Sequence, residues 1–486
     1  MIKLMIILIF FCAGIVEAQQ APLDKAFDLY MTNKAQKNEW IAYEMMTAQY
    51  FFVASIFAKR HILTKGEHSS IFEEALDTIS TKAGLEALSD LPDETMQRTT
   101  GATMSLVLGL RRFNEKNYQA AINAVKDISP FNRFYPEAQM IIGPSSYFLG
   151  LKDEVVAQAY LACEQSADRM AKSASHEKLR RYYELIRENC LIHQARQSYA
   201  KTNFATSTLQ YEKIDKQSYR WPYVIVERAW SSFQSKDYNR ALGLVATYGS
   251  PLLESYFFPE AEVLKALSYH HLCLYDDALQ VIDHYYQEYK PKSEALRKVI
   301  DDNKNTSDFF LNLMFEERSE REKVGPFVAG LAIQIRKEVK FNLDLITLRR
   351  AEEELVSVSK WPDHPMKKDI TYEIMGMIAH LKKKMNFYVM ERMVNFVNEI
   401  HRGSYAMFNI KLDLLSKKRD LLYKGEKLVA DRARGEAQNV QRRPDQHFYT
   451  FTGEFWADEL GDYSFGLKSN CETQNNRTAA TGGVQK

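Results

Sequence analysis

Between residues 101 and 291 one arrangement of small, aromatic and proline residues returns at intervals of about 34 to 37, and nothing else in the chain restricts its fold as strongly. In LGLRRFNEKNYQAAINAVKDISP, Leu108 and Gly109 lie on a first predicted helix. A polar turn follows, Tyr118 and Ala121 open a second helix, and Val125 and Pro130 close it. RAWSSFQSKDYNRALGLV repeats the arrangement with Ala229, Phe233, Tyr238, Ala241 and Val245. LSYHHLCLYDDALQVI repeats it with Ala266, Tyr269, Tyr275, Ala278 and Ile282, before a closing Pro291. Two weaker copies are SYAKTNFATSTLQYEKI, with Phe204 and Tyr211, and SYFLGLKDEVVAQAY, with Tyr147, Leu149 and Tyr160. Small residues suit the closest approach of two helices, aromatics fill the space beside them, and proline ends a pair because it cannot continue a helix. FYPEA (Phe134 to Ala138) and FFPEA (Phe257 to Ala261) each open a further helix with proline in the favoured first turn. The expected fold is all-α: a tetratricopeptide-like helical-repeat solenoid over 101–291, with long C-terminal helices and a short aromatic docking segment.

Composition agrees with helix. Gly (20) and Pro (13) are scarce in 486 residues, about 7% together against roughly 12% on average. Apolar residues are 45% and charged residues 26%, the balance of a folded globular body rather than of a disordered or polytopic membrane chain. Lys plus Arg (64) matches Asp plus Glu (63), so no field selects nucleic acid as a partner.

Residues 1–18, MIKLMIILIFFCAGIVEA, combine Lys3, an apolar run from Leu4 to Ile15, and small residues ending at Ala18. This predicts a secretory leader cleaved after Ala18, and with it a periplasmic location. The run is short for a membrane span and no second apolar stretch of about 20 occurs. Phe11 before Cys12 argues against a lipid anchor. An N-terminal helical cap is expected over 19–100, where WIAYEMMTAQYFFVASIFAKR reads as one dense apolar helix.

Residues 292–443 read as long polar-rich helices broken by PDHP (Pro362, Pro365). Phe408, Leu412, Leu415, Leu422 and Val429 fall on a 4-3 spacing suited to a hairpin or coiled-coil seam. Lys411 to Arg443 carries ten basic and five acidic residues, read as a solvated face. Residues 444–471 leave the helical pattern. Phe448, Phe451, Phe455, Trp456, Tyr463 and Phe465 cannot all stay in water, so this segment is expected to dock, burying Trp456. Residues 472–486 read as a disordered tail.

No GxxxxGK[ST], GxGxxG, GxSxG or HExxH occurs, so nucleotide, hydrolase and metalloprotease chemistry lack their usual frameworks, and no cofactor is expected. His270 and Cys273 stand one helical turn apart as half of a metal site, without a second pair, so no metal is expected either. Glu454, Asp458, Glu459 and Asp462 beside aromatics are the most enzyme-like group, since sugar cleavage needs paired carboxylates. The same acids suit a docking strip, and Glu454, Phe455, Trp456, Asp458, Glu459 and Tyr463 are read as partner-binding or docking residues.

ERAWSSFQSKDYNRALGLVATYGSPLLESYFFPEAEVLKALSYHHLCLYDDAL, followed by GEFWADELGDYSFGLKSNC, resembles the tetratricopeptide-repeat periplasmic proteins of the gliding-motility envelope machinery in myxobacteria and their predatory relatives. The similarity runs from about residue 190 to 471. The resemblance implies a non-enzymatic scaffold or adaptor joining inner- and outer-membrane components of a multiprotein machine, with no catalytic residues. The alternative is a protein that binds or cleaves cell-wall glycan through the 454–462 acids, which places it near peptidoglycan.

Four cysteines lie beyond the leader: Cys163, Cys190, Cys273 and Cys471. In an oxidising compartment they allow three pairings, or four separate buried thiols. If KSASHE turns the chain near His176, Cys163 and Cys190 lie thirteen residues before and fourteen after it, on facing antiparallel helices. That arrangement leaves Cys273 for Cys471, and such a bond would clamp the aromatic segment onto the repeats.

Overall fold

The structure is a computed structural model that describes residues 20–34, 36–64, 69–88, 91–96, 101–423, 440, 444 and 446–471. The expected leader, Val429 and the tail 472–486 lie outside the described residues. The described part is all-helical, without a strand. In chain order the helices are α1 (residues 20–30), α2 (Lys37–Thr47), α3 (Phe51–Leu63), α4 (Ser70–Ala83), α5 (Asp93–Met96), α6 (Ala102–Asn114), α7 (Tyr118–Val125), α8 (Tyr135–Phe148), α9 (Asp153–Lys172) and α10 (Glu177–Ala200). They continue as α11 (Phe204–Tyr211), α12 (Trp221–Gln234), α13 (Tyr238–Ala246), α14 (Pro259–His271), α15 (Tyr275–Asn303), α16 (Phe309–Phe315), α17 (Arg318–Glu322), α18 (Pro326–Lys337), α19 (Val339–Ser359) and α20 (Pro365–Tyr423). Two compact units form: Met1–Cys190 with Asn342–Lys384, and Leu191–Phe341 with Met385–Lys486.

One turn joins six of the consecutive helix pairs among the described residues. A residue with positive φ ends the first helix: Gln49, Lys116, Gly150, Thr202, Lys236 and Cys273. Its N–H and the next residue's N–H return to carbonyls of the last turn, as in Lys116 N to Phe113 O (2.9 Å) and Asn117 N to Arg112 O (2.9 Å). This satisfies carbonyls that a helix end leaves open. The following residue caps the second helix: Asn117, Asn203 and Asp237 side chains accept from Ala120, Thr206 and Arg240 N at 3.3, 3.3 and 3.0 Å. The turn recurs from residue 116 to 150, from 202 to 236 and from 236 to 273, steps of 34, 34 and 37. An aromatic before the turn meets one after it: Phe113 with Tyr118, Tyr199 with Phe204, and Phe233 with Tyr238, at 5.6, 5.3 and 5.3 Å between ring centres. Ala121, Ala229, Ala241, Ala266 and Ala278 are fully buried where the helices pack.

Several expectations are corrected. WIAYEMMTAQYFFVASIFAKR is two helices, α2 and α3, because Gln49 takes the same left-handed turn (φ 66°). Pro291 lies inside α15 rather than closing it. The helix continues because Ser293 and Leu296, beyond the proline, are buried, with Ser293 Oγ 3.3 Å from His401 Nε2. Tyr147 and Leu149 are exposed at the end of α8, whereas Tyr160 is buried. The 4-3 series on α20 faces solvent: Phe408, Leu412, Leu415 and Leu422 are exposed, while Met407, Ile410 and Leu414 on the opposite face pack against Tyr275, Ala278, Ile282 and Tyr285.

In the first unit α19 and the start of α20 close on the N-terminal helices. Trp361 packs edge-on to Phe27 (5.4 Å) and Tyr50 (5.0 Å), and Arg60 pairs with Asp369 (2.8 Å) and Glu373 (2.6 Å). The buried Glu354 carboxylate accepts from Phe52 N (3.1 Å) and Val53 N (2.7 Å), serving the open N-terminus of α3 from a distant helix. In the second unit the core runs through α11–α15, continuous with the later turns of α20.

Candidate functional site

The C-terminal segment 446–471 lies against α12–α14 of its own unit. Asn239, one residue into α13, grips it with a paired amide: Oδ1 accepts from Leu467 N and Nδ2 donates to Leu467 O, both at 3.0 Å. Asn239 O accepts from Phe465 N (2.9 Å), and Leu272 O from Asn470 N (2.9 Å). Lower down, Gly461 N donates to Thr247 Oγ1 (3.2 Å) and Arg228 Nη1 donates to Gly461 O (3.3 Å). Lys216 Nζ pairs with Asp462 (2.5 Å) and also donates to Asp458 O.

Two glycines allow this closeness. A Cβ on Gly243, inside α13, would stand 2.0 Å from Tyr463 O. Gly461 takes φ +82°, and a Cβ there would stand 2.7 Å from the Trp221 ring. Gly243→Ala should therefore push the segment off α13, costing about 1–3 kcal/mol as overpacking does, and should admit protease to 446–471. Limited proteolysis checks this, and unchanged cleavage of the variant would refute the contact.

Leu460 enters the core beside Trp221, with Phe455 and Tyr463 packed partly buried against it. Phe451, Phe455 and Tyr463 form a ring cluster at 5.1–5.6 Å. Trp456 is 59% exposed, correcting the expectation that docking buries it: the turn at 456–462 sends Leu460 inward instead. Tyr449 (89%) and Phe451 (51%) are exposed too, as are Glu454, Asp458 and Glu459. The segment thus has an inner face and an aromatic, acidic outer face. Burial, reinforced by Glu459, Asp458 and Asp462, raises the Tyr463 hydroxyl's pKa and keeps it protonated.

Cys273 is disulfide-bonded to Cys471, and Cys163 to Cys190 across α9 and α10. Cys273 is the left-handed residue of the α14–α15 turn, so the bond ties the segment's end to that turn. With its sulfur so engaged, and His270 Nε2 held by Asp413 (2.7 Å), the His270/Cys273 pair is not available to a metal. Among the described residues no group of three or more His, Cys, Asp or Glu is placed to hold one.

Sequence reasoning missed Asn239 and Gly243, and a third aromatic-proline helix opening, RWPYV (Arg220 to Val224), which stands beside FYPEA and FFPEA at the start of α12. Its signal was there in Trp221-Pro222. Among the described residues no helix is long and apolar enough to cross a membrane. In comparison with known proteins, no family model and no curated protein matches the chain.

Proposed function

We propose that the chain is a non-enzymatic scaffold or adaptor of the cell envelope, exported to the periplasm, whose hairpins form a tetratricopeptide-like solenoid and whose docked segment presents a binding face to other envelope proteins. One observation carries the reading: the segment held by Asn239 and Cys471 leaves Tyr449, Phe451 and Trp456 in water beside Glu454, Asp458 and Glu459. Exposed aromatics on a fixed backbone lose little entropy on binding and are the usual anchors of protein interfaces, and the acids favour a basic partner surface. The roughly 34-residue recurrence supports the solenoid, and two disulfides suit an oxidising compartment. The resemblance to gliding-motility envelope proteins points to a machine bridging the two membranes.

Crosslinking in intact cells, followed by purification and mass spectrometry, tests the proposal. Envelope proteins should be captured by the native chain, and their yield should fall at least tenfold with Tyr449→Ala/Trp456→Ala. Equal capture by both chains would remove the binding face. Cleavage of purified peptidoglycan by the protein, lost in Glu454→Gln or Asp458→Asn, would replace the scaffold with the glycan enzyme.

A further inference from the structure

The hairpins contain a duplicated block, once in each unit. FYPEA opens α8 and FFPEA opens α14, and the left-handed turns at Lys116 and Lys236, and at Gly150 and Cys273, stand in matching places around them. The match extends to the rings. Phe113 meets Tyr118 at 5.6 Å and 62°, and Phe233 meets Tyr238 at 5.3 Å and 61°. Tyr118 stacks on Phe148 (4.8 Å, 17°) as Tyr238 stacks on His271 (5.2 Å, 21°). Counted from these anchors, Gln119, Asn123 and Asp127 correspond to Asn239, Gly243 and Thr247, and Leu149 corresponds to Leu272.

The second block shows what such a surface holds. Residues 461–470 run along α13 from Thr247 back to Asn239, and two residues of the segment pass each turn of the helix. Gly461 N donates to Thr247 Oγ1, the Tyr463 carbonyl lies against Gly243, and Phe465 N donates to Asn239 O. The steps agree because four helical residues rise about 6 Å and two extended residues span about 6.6 Å. The Asn239 amide then pairs with both backbone groups of Leu467, and Asn470 N reaches Leu272 O at the end of α14. Beneath this cover Leu272 is 6% exposed.

In the first block the same surface stands open. Leu149 is 38% exposed, and Tyr147 and Phe148 beside it are more exposed still. Gln119, Asn123 and Asp127 also face water, four residues apart along α7 and the turn after it, with Gln119 Nε2 donating to Asn123 Oδ1 at 3.4 Å. Each side-chain amide has both a donor and an acceptor, so it can pair with a backbone N–H and C=O as Asn239 does. Asn123 stands where the second block has glycine, so a chain received here rests on amide side chains rather than on helix backbone. Gly150 replaces Cys273, so no covalent bond ties the occupant to the turn. Tyr147, Phe148 and Leu149 give it an apolar floor, and an extended chain turns every second side chain toward one face.

We propose that α7 and the end of α8 bind an extended segment of another protein. It runs antiparallel to α7, with its backbone held by Gln119 and Asn123 and its alternate apolar side chains against Tyr147, Phe148 and Leu149. The surface is separate from Tyr449, Phe451 and Trp456, and it stands whether or not those residues bind a partner.

Selection from a displayed library of random linear peptides on the full-length oxidised chain tests this. Enriched peptides should share apolar residues at alternate positions. One of them, synthesised with a fluorescent label, should bind the native chain and lose at least tenfold in affinity with Phe148→Ala, and again with Gln119→Ala/Asn123→Ala. These side chains are exposed, so both variants should keep the native circular-dichroism spectrum. Tyr449→Ala/Trp456→Ala should leave the affinity unchanged, which separates this surface from the outer face of the docked segment.

Enriched peptides with apolar residues three and four apart would indicate a helical ligand and overturn the extended mode. No enrichment over a support without the chain, or binding indifferent to both α7–α8 variants, would overturn the site. Concentration-dependent dimerisation in sedimentation, lost in Phe148→Ala, would make a second copy of the chain the occupant and overturn the assignment to another protein.

Discussion

Cys471→Ser should free the C-terminal segment from the hairpins and lower the stability of the second unit by up to about 5 kcal/mol. That magnitude follows from loop-closure entropy: the bond joins residues 198 apart, and cross-linking so long a loop restricts the unfolded chain more than a short link does. The Cys163–Cys190 bond spans only 27 residues, so its removal should cost about 3.5 kcal/mol. A single-site change also separates the two bonds, which a reducing agent would break together.

The non-covalent hold is concentrated at few points: the Asn239 amide pair, Leu460 beside Trp221, and Lys216 on Asp462. The first two contribute on the order of 1–2 kcal/mol each and the solvent-exposed Lys216–Asp462 pair less than about 1 kcal/mol, which is small against the entropy of ordering a segment with no regular structure of its own. Hydrogen exchange resolves the outcome by residue. In Cys471→Ser the amides of Phe465, Leu467 and Asn470 should exchange at least a hundredfold faster, while those in α12 and α13 change little. If protection at these three amides survives, the Asn239 grip suffices and the bond is not the clamp.

The hairpins were legible because their information is local. Each turn is written within about six residues, an aromatic, a left-handed position, an Asn or Asp cap and a second aromatic, as in Phe113 to Tyr118 and Phe233 to Tyr238. The buried alanines at 121, 241 and 278 follow from the same register. What depends on distant partners was not legible. The 4-3 series from Phe408 to Leu422 is an apolar stripe by spacing, but α20 is apolar on both faces here, and only contact with α15 decides that Met407, Ile410 and Leu414 go inward. Pro291 predicts a helix end by its missing N–H. The burial of Leu296 beyond it outweighs that loss.

The docked segment shows both cases. Its aromatics announced that it must pack, but which side chain enters the core was set by the turn that selects Leu460 over Trp456. Asn239 and Gly243 looked like ordinary helix residues, because the strand of chain they receive arrives more than 200 residues later. The cavity lined by Tyr223, Glu338 and Arg392 is the extreme case: its three contributing stretches share no spacing and meet only through the fold.

Acidification should stabilise the first unit. Two glutamates there have carboxyls withdrawn from water, and burial raises each from its ordinary 4.5 to about 7. Glu137, of the FYPEA motif, accepts from the Tyr182 hydroxyl at 2.5 Å and has Arg133 nearby. Both interactions favour its charged form, yet burial prevails, and its Oε2 is enclosed without a partner. Glu354 accepts backbone N–H groups at the start of α3, which also favour the charge, and again burial prevails.

A group whose pKa is higher folded than unfolded binds its proton more readily in the folded chain. Its contribution to stability is therefore complete below about pH 4.5 and is lost as pH rises through about 7. A shift of this size corresponds to up to about 3 kcal/mol for each group. Thermal unfolding followed between pH 5 and 8 should accordingly give a midpoint for the first unit that falls by several degrees toward pH 8. Glu137→Gln keeps the shape and the hydrogen bond to Tyr182 without the charge, and should flatten its share of that slope. Glu354→Gln, which gives up one acceptor at α3, should lower the midpoint at pH 5 and flatten the remainder. A native midpoint that is level or rises from pH 5 to 8, or a slope that survives both substitutions, would show that these carboxyls are solvated and charged in the folded protein.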